Sequence, residues 1–225
     1  MAHKIITIGR QFGSGGHSIG QETADRLGIH CYDKELITLA AMRGQLDRAW
    51  LTDFDEKRPN AWLYEAAYNT NCRMPEGDSV SAVLFRLQSD IIRSIAREED
   101  AVIIGRCADH ILREAEDVRL LTVFVAAPFD ARVQRKMRLE RIGRRRAETL
   151  VSETDRQRRL YDQTCTGREW GQRDDFDLYF DFQEQDRTEI VNSILDALPR
   201  WDDAPPCTRR AERFRVSPAG AVTAP

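Results

Sequence analysis

The chain has 225 residues, 41% of them hydrophobic and 32% charged, with a net charge of −3. That suits a soluble globular core, with or without a small insertion, and provides no global field that would draw the chain to nucleic acid or membrane. No apolar run approaches transmembrane length. Five cysteines are scattered without a CxxC or a paired Cys/His spacing, which fits reduced thiols rather than a disulfide framework. The start "MAHKIITIG" passes directly into a strand pattern and leaves no room for a signal peptide, so cytoplasm is the expected location.

Lys4–Ile8 is a β-branched apolar run, the pattern of a buried strand. A glycine-rich turn follows, and Ser18–Leu27 has helical spacing, with Gly28 as its stop. Ile29–Asp33 reads as a short strand or a strand end, and "KELITLAAMR" as a helix. From about 44 to 78 the pattern changes to aromatics, mixed charges and prolines, which predicts a helical insertion. Its Trp50, Trp62, Tyr64 and Tyr68 read more readily as core than as base-stacking groups. Val80–Arg97 carries an apolar stripe at helical period.

Ala101–Gly105 and Val118–Ala127 read as buried strands, with a short helix between them. Residues 130–159 are helical and charged, with a break near Gly143. Phe176–Phe182 is a last strand and Asp186–Leu198 a closing helix. The tail over 201–225 has a disordered composition. Apolar strands alternating with helices predict a parallel sheet of about five strands with helices on both faces. Ligands in such sheets bind beyond the carboxyl ends of the strands. Three turns fall there: Gly9–Ser18, Tyr32–Asp33 and Gly105–Asp109.

Gly13, Gly15 and Gly16 allow the backbone to turn and aim several N–H groups at one point. With the positive end of the following helix, they make an anion site. Ser18 can offer its hydroxyl to a phosphate-bound Mg²⁺. The plainer reading is a strand-to-helix turn capped by serine. The usual loop lysine is absent, and Gly16 stands in its place.

In order along the chain, "ITIGRQFGSGGHSIGQETADRLGIHCYDKELI", "VIIGRCADHIL" and "TGREWGQRDDFDLYF" resemble the cytidylate kinase-like family of P-loop nucleoside monophosphate kinases. The resemblance spans about residues 4–198. It implies a three-layer α/β P-loop kinase domain over residues 1–200, with an acceptor-binding insertion over about 44–78 and an arginine-rich lid over about 144–170. It also implies ATP and Mg²⁺, and transfer of the γ-phosphoryl to a nucleoside monophosphate such as CMP. Carried over, Gly13, Ser14, Gly15, Gly16, His17 and Ser18 would cradle the donor phosphates, with Ser18 also toward the metal. Asp33, Arg106 and Asp109 would position the acceptor. Cys107 stands where the family has an acidic residue, which leaves cytosine selectivity open.

Without the lysine, another cation must neutralise the transferring phosphoryl group. Arg10 at the loop entry, a protonated His17 and the lid arginines are candidates. Within "RVQRKMRLERIGRRRAETLVSETDRQRRLYDQTCTGREW", the "ETDRQRR" stretch resembles the family's lid segment and singles out Arg156 and Arg159. Arg144, Arg145 and Arg168 are further candidates. The interleaved acids fit a solvated, salt-bridged helix face equally well and argue against nucleic-acid contact. Two other readings stay open: a nucleotide-binding regulatory protein with little turnover, and a kinase of another small molecule. The expected partner is a small nucleotide, with no nucleic acid or membrane, and a homo-oligomer is left open.

Overall fold

A computed structural model describes residues 2–34, 36, 80–182, 186–202, 215–216 and 222–223. The insertion expected over about 44–78, with its Trp50, Trp62, Tyr64 and Tyr68, lies outside the described residues. The elements run β1 (His3–Arg10), α1 (Gly16–Leu27), β2 (His30–Tyr32), α2 (Val80–Glu98), β3 (Ala101–Ile104), α3 (Ala108–Ile111), β4 (Val118–Ala126), α4 (Phe129–Glu140), α5 (Arg144–Thr166), β5 (Leu178–Asp181) and α6 (Arg187–Asp202). In the tail, β6 (Arg215–Val216) and β7 (Val222–Thr223) form a short antiparallel pair, and most of the rest lies outside the described residues.

Five strands form one parallel sheet in the order β2-β3-β1-β4-β5. Every residue of β3 is buried, as are all but one of β4. A strand buried at every position is covered on both faces, which explains the unbroken apolar run of β3. The core joins Ile5, Ile6 and Ile8 of β1 to Ile19 of α1, Ile92 of α2 and Ile194 of α6. Among the described residues, no helix is long and apolar enough to cross a membrane.

Three elements differ in length from the sequence reading. The helix expected after β3 is only four residues long, because Arg106 and Cys107 adopt left-handed backbone (φ 60° and 54°) and delay its start. The last strand begins at Leu178, since residues 173–175 form a 3₁₀ turn ahead of it. The charged helical region does break at residues 141–143, but its second part continues past Arg159 to Thr166.

Candidate active site

The glycine loop joins the end of β1 to α1. Gly13 and Gly15 have φ of 81° and 95°, a region that favours glycine. Ser14 is fully buried, and its hydroxyl donates to the Gln11 carbonyl at 2.9 Å, so it shapes the turn from inside. The first N–H groups of α1 have no partner within their own helix. Gly15 precedes that helix in left-handed backbone, without a side-chain cap. His17 is exposed and Ser18 half-buried in its first turn.

The place of the missing lysine is filled sterically. A Cβ on Gly16 would stand 2.5 Å from the Arg10 Cβ, so even alanine would crowd there. Gly16 does not have the positive φ of Gly13 and Gly15, so room, not backbone conformation, requires glycine. From the end of β1, Arg10 crosses the end of β3 to reach Asp33 beyond β2. Gly105 lets it pass, since a Cβ there would lie 1.7 Å from Arg10 Nη1. Arg10 Nη2 donates to Asp33 Oδ1 at 3.0 Å, and His17 Nδ1 meets Asp33 Oδ2 at 2.9 Å. Burial on its own would raise the Asp33 pKa. The His17 hydrogen bond and the charges of Arg10 and Arg106 outweigh it and hold the carboxyl at about 2.

A second ion pair fixes the loop from the other side. Asp155 of α5 accepts the Phe12 N–H at 2.7 Å and pairs with Arg132 of α4. Arg132 also donates to the Phe12 carbonyl at 3.1 Å and the Ala127 carbonyl at 2.8 Å. One turn along α5, Arg158 donates to the Arg10 carbonyl at 3.0 Å. Arg135 of α4 lies over the loop apex, where a Cβ on Gly15 would be 2.9 Å from its Nη1. Burial, together with Arg187 and Arg138, lowers the Arg135 pKa, but a guanidinium keeps its charge in proteins.

Opposite the loop is the Gly105–Asp109 turn. Arg106 is buried there, and Asp109 accepts from Arg168 at 2.9 Å. Arg168 also approaches Asp175 at 3.7 Å. A cleft between the end of β1, that turn and the segment following α5 is lined by four arginines (10, 106, 158 and 168), Asp109, and the aromatic rings of Phe124 and Trp170. Its volume is about 40 Å³, well below the roughly 300–1,000 Å³ of ligand pockets. A larger cavity of about 640 Å³ lies between α2 and the α3–β4 connection, away from the end of β1.

The structure therefore gathers Arg10, Gly13–Ser18, Asp33, Arg106 and Asp109 at the carboxyl ends of the strands. Arg156 and Arg159 are exposed on α5 and do not line the cleft; Arg159 lies over the Trp170 ring at 6.0 Å. Sequence reasoning missed Arg158, Arg135 and the Asp155–Arg132 pair. Helix phase was the available signal: Ala147, Val151 and Asp155 are buried at intervals of four, and Arg158 continues that face.

The loop geometry fits a phosphate chain, with glycine turns at Gly13 and Gly15 leading into a helix N-terminus. Among the described residues there is no cluster of three His, Cys, Asp or Glu side chains able to hold a metal. Ser18, half-buried in the first turn of α1, is the hydroxyl that would face a phosphate-bound Mg²⁺.

A parallel sheet with this loop and an arginine-lined cleft at its carboxyl edge defines a P-loop kinase, a class that transfers phosphoryl groups. The chain matches the cytidylate kinase-like family over residues 5–184, and it belongs to that family. A crystal structure of an uncharacterized protein from Eubacterium ventriosum is similar at 26% identity and a TM-score of 0.66, covering 88% of this chain and 99% of that one. Shikimate kinase from Acinetobacter baumannii in complex with shikimate matches at 12% identity and a TM-score of 0.49, over 91% and 97% of the two chains. Shikimate kinase from Aquifex aeolicus matches at 18% and 0.45, over 88% and 96%. No curated protein matches the chain in sequence.

Proposed function

We propose that the chain moves the γ-phosphoryl of ATP onto a nucleoside monophosphate such as CMP. The observation that carries this is the convergence of four arginines on a cleft at the end of β1, where the glycine loop begins, and the Arg106–Asp109 turn. Planar guanidinium forks match phosphate oxygens in pairs, so such a cleft suits an acceptor that is itself a phosphate ester. Mg²⁺ bound with ATP would neutralise charge on the phosphate chain. The loop amides would hold the donor phosphates, and Ser18 would face the metal. Arg135, at the loop apex, and Arg158 would supply positive charge where a lysine is absent. Arg10, already paired with Asp33, acts as a strut that shapes the loop. Arg106 would face the acceptor phosphate, with Asp109 released to the acceptor when its pair with Arg168 opens.

The test is a coupled ATP-consumption assay across the common nucleoside monophosphates. Turnover with one or more of them supports the reading, and turnover only with a non-nucleotide acceptor replaces it with a kinase of another small molecule. The lysine-free loop favours a second reading, a nucleotide-binding protein with little turnover. ATP binding by calorimetry with no acceptor turning over would select that one.

A further inference from the structure

Two cysteines pack together beside the cleft, and Cys107 lines it. Cys107 caps α3 in the acceptor turn and is 6% exposed. Cys165 lies in the last turn of α5 and is half-buried. They share one apolar cluster with Tyr161, and Phe85 packs on it, its ring 6.3 Å from that of Tyr161 and edge-on to it. Asp162, one turn before Thr166, accepts a hydrogen bond from the Cys107 thiol at 3.3 Å. Both thiols are reduced, so the pair is a contact and not a bond.

We propose that Cys107 and Cys165 form a reversible disulfide by exchange with a small-molecule disulfide, tying the acceptor turn to the end of α5. The half-buried Cys165 reacts first, as a thiolate attacking one sulfur of the small disulfide and expelling one small thiolate. Cys107 then gives its proton to Asp162 and attacks Sγ of Cys165, and the second small thiol leaves. Two protein thiols are oxidised and one disulfide is reduced to two thiols, so electrons and protons balance. The order follows from the surroundings. The contact with Cys165, burial and Asp162 hold the Cys107 thiol well above its usual pKa, which protects it until a partner is in place. Burial raises the Asp162 pKa, with Asp109 adding to it, which makes that carboxylate a better proton acceptor.

Arg106 and Asp109 flank Cys107, and Arg168 follows Cys165 by three residues. The cross-link therefore fastens both walls of a cleft that must widen to take a substrate. This effect on turnover rests on the proposed phosphoryl transfer, but the cross-link itself does not.

The experiment equilibrates the full reduced chain with glutathione and glutathione disulfide, traps remaining thiols, and maps tryptic peptides by mass spectrometry. The expected product joins Cys107–Arg113 to Leu160–Arg168, with the mass of two hydrogens lost and restored by dithiothreitol. In Cys107→Ser, a mixed glutathione disulfide should persist on Cys165. A mixed disulfide that persists in the wild type overturns the proposal. So does a linked peptide lacking either cysteine, or failure of both to react while other thiols do. If an acceptor is phosphorylated, the cross-linked form should turn over at least about tenfold more slowly and recover on reduction. Unchanged turnover overturns the proposed tie between the walls, while absence of turnover in the reduced chain counts against the kinase reading alone.

Discussion

Arg10 and Asp33 meet at 3.0 Å across the end of β3, with side chains only 9% and 10% exposed. A guanidinium so placed is already neutralised by a partner, which makes it a poor stand-in for a mobile lysine and a good brace for the loop. Removing Arg10 would leave the Asp33 carboxylate buried with His17 as its remaining near partner. Arg10→Ala should therefore destabilise the fold by about 3 kcal/mol, the low end for breaking a buried pair. Urea denaturation measures it. In the double substitution with Asp33→Ala, the loss should be smaller than the sum of the single losses.

The same pair sets a pH dependence. The Asp33 pKa is about 2 in the fold against an ordinary value of 3.8. Because the folded value is the lower one, its stabilisation is fully present above about pH 4. It is lost as the pH falls from 3.8 toward 2, and amounts to about 2 kcal/mol. Stability measured across that window should fall more shallowly in Asp33→Asn than in the wild type.

Restoring the conventional loop residue should harm rather than help. The Cβ of Gly16→Lys would press on the Arg10 Cβ. Overpacking of that kind costs about 1–3 kcal/mol. The variant should melt earlier and bind ATP no more tightly than the wild type by calorimetry. Tighter binding would show that the slot is larger than the geometry indicates.

Arg158 and Arg156 separate the two faces of α5. Arg158 lines the cleft and holds the Arg10 carbonyl, whereas Arg156 is exposed. Once an acceptor is found, Arg158→Ala should lower kcat/KM about 100-fold, near 2.7 kcal/mol, the scale of losing one donor to developing charge. Arg156→Ala should stay within about twofold, as an exposed side chain outside the cleft does. Equal losses would restore the sequence-based assignment.

Asp155→Asn tests the clamp on Phe12. It keeps the shape but removes the charge facing Arg132, leaving that buried guanidinium without its counter-ion. A loss of about 3 kcal/mol is expected in denaturant unfolding.

The sheet was legible because a strand covered on both faces is apolar along nearly its whole length, as in "AVII" and "VRLLTVFVA". The glycine loop was legible because positive φ at Gly13 and Gly15 restricts those positions to few residue types. The break in the charged region was legible too, at residues 141–143. The partners of the site were not. Arg10 and Asp33 are 23 residues apart, and only the placement of β3 between β1 and β2 makes them neighbours. The alignment of "ETDRQRR" pointed to Arg156 and Arg159, but packing of Ala147 and Val151 sets the helix phase and turns Arg158 inward. Gly105 read as a strand end, and its real duty is to leave space for a side chain from another strand.

The narrow cleft has a kinetic consequence. A space of about 40 Å³ takes in a water molecule or two, so an acceptor bound there, as proposed, would require the Arg168–Asp109 pair to part first. If that opening is populated a fraction of the time, the apparent dissociation constant rises by the inverse of the fraction. Association should then fall below ordinary diffusional encounter and respond to substitutions at Arg168 that never touch the reacting atoms.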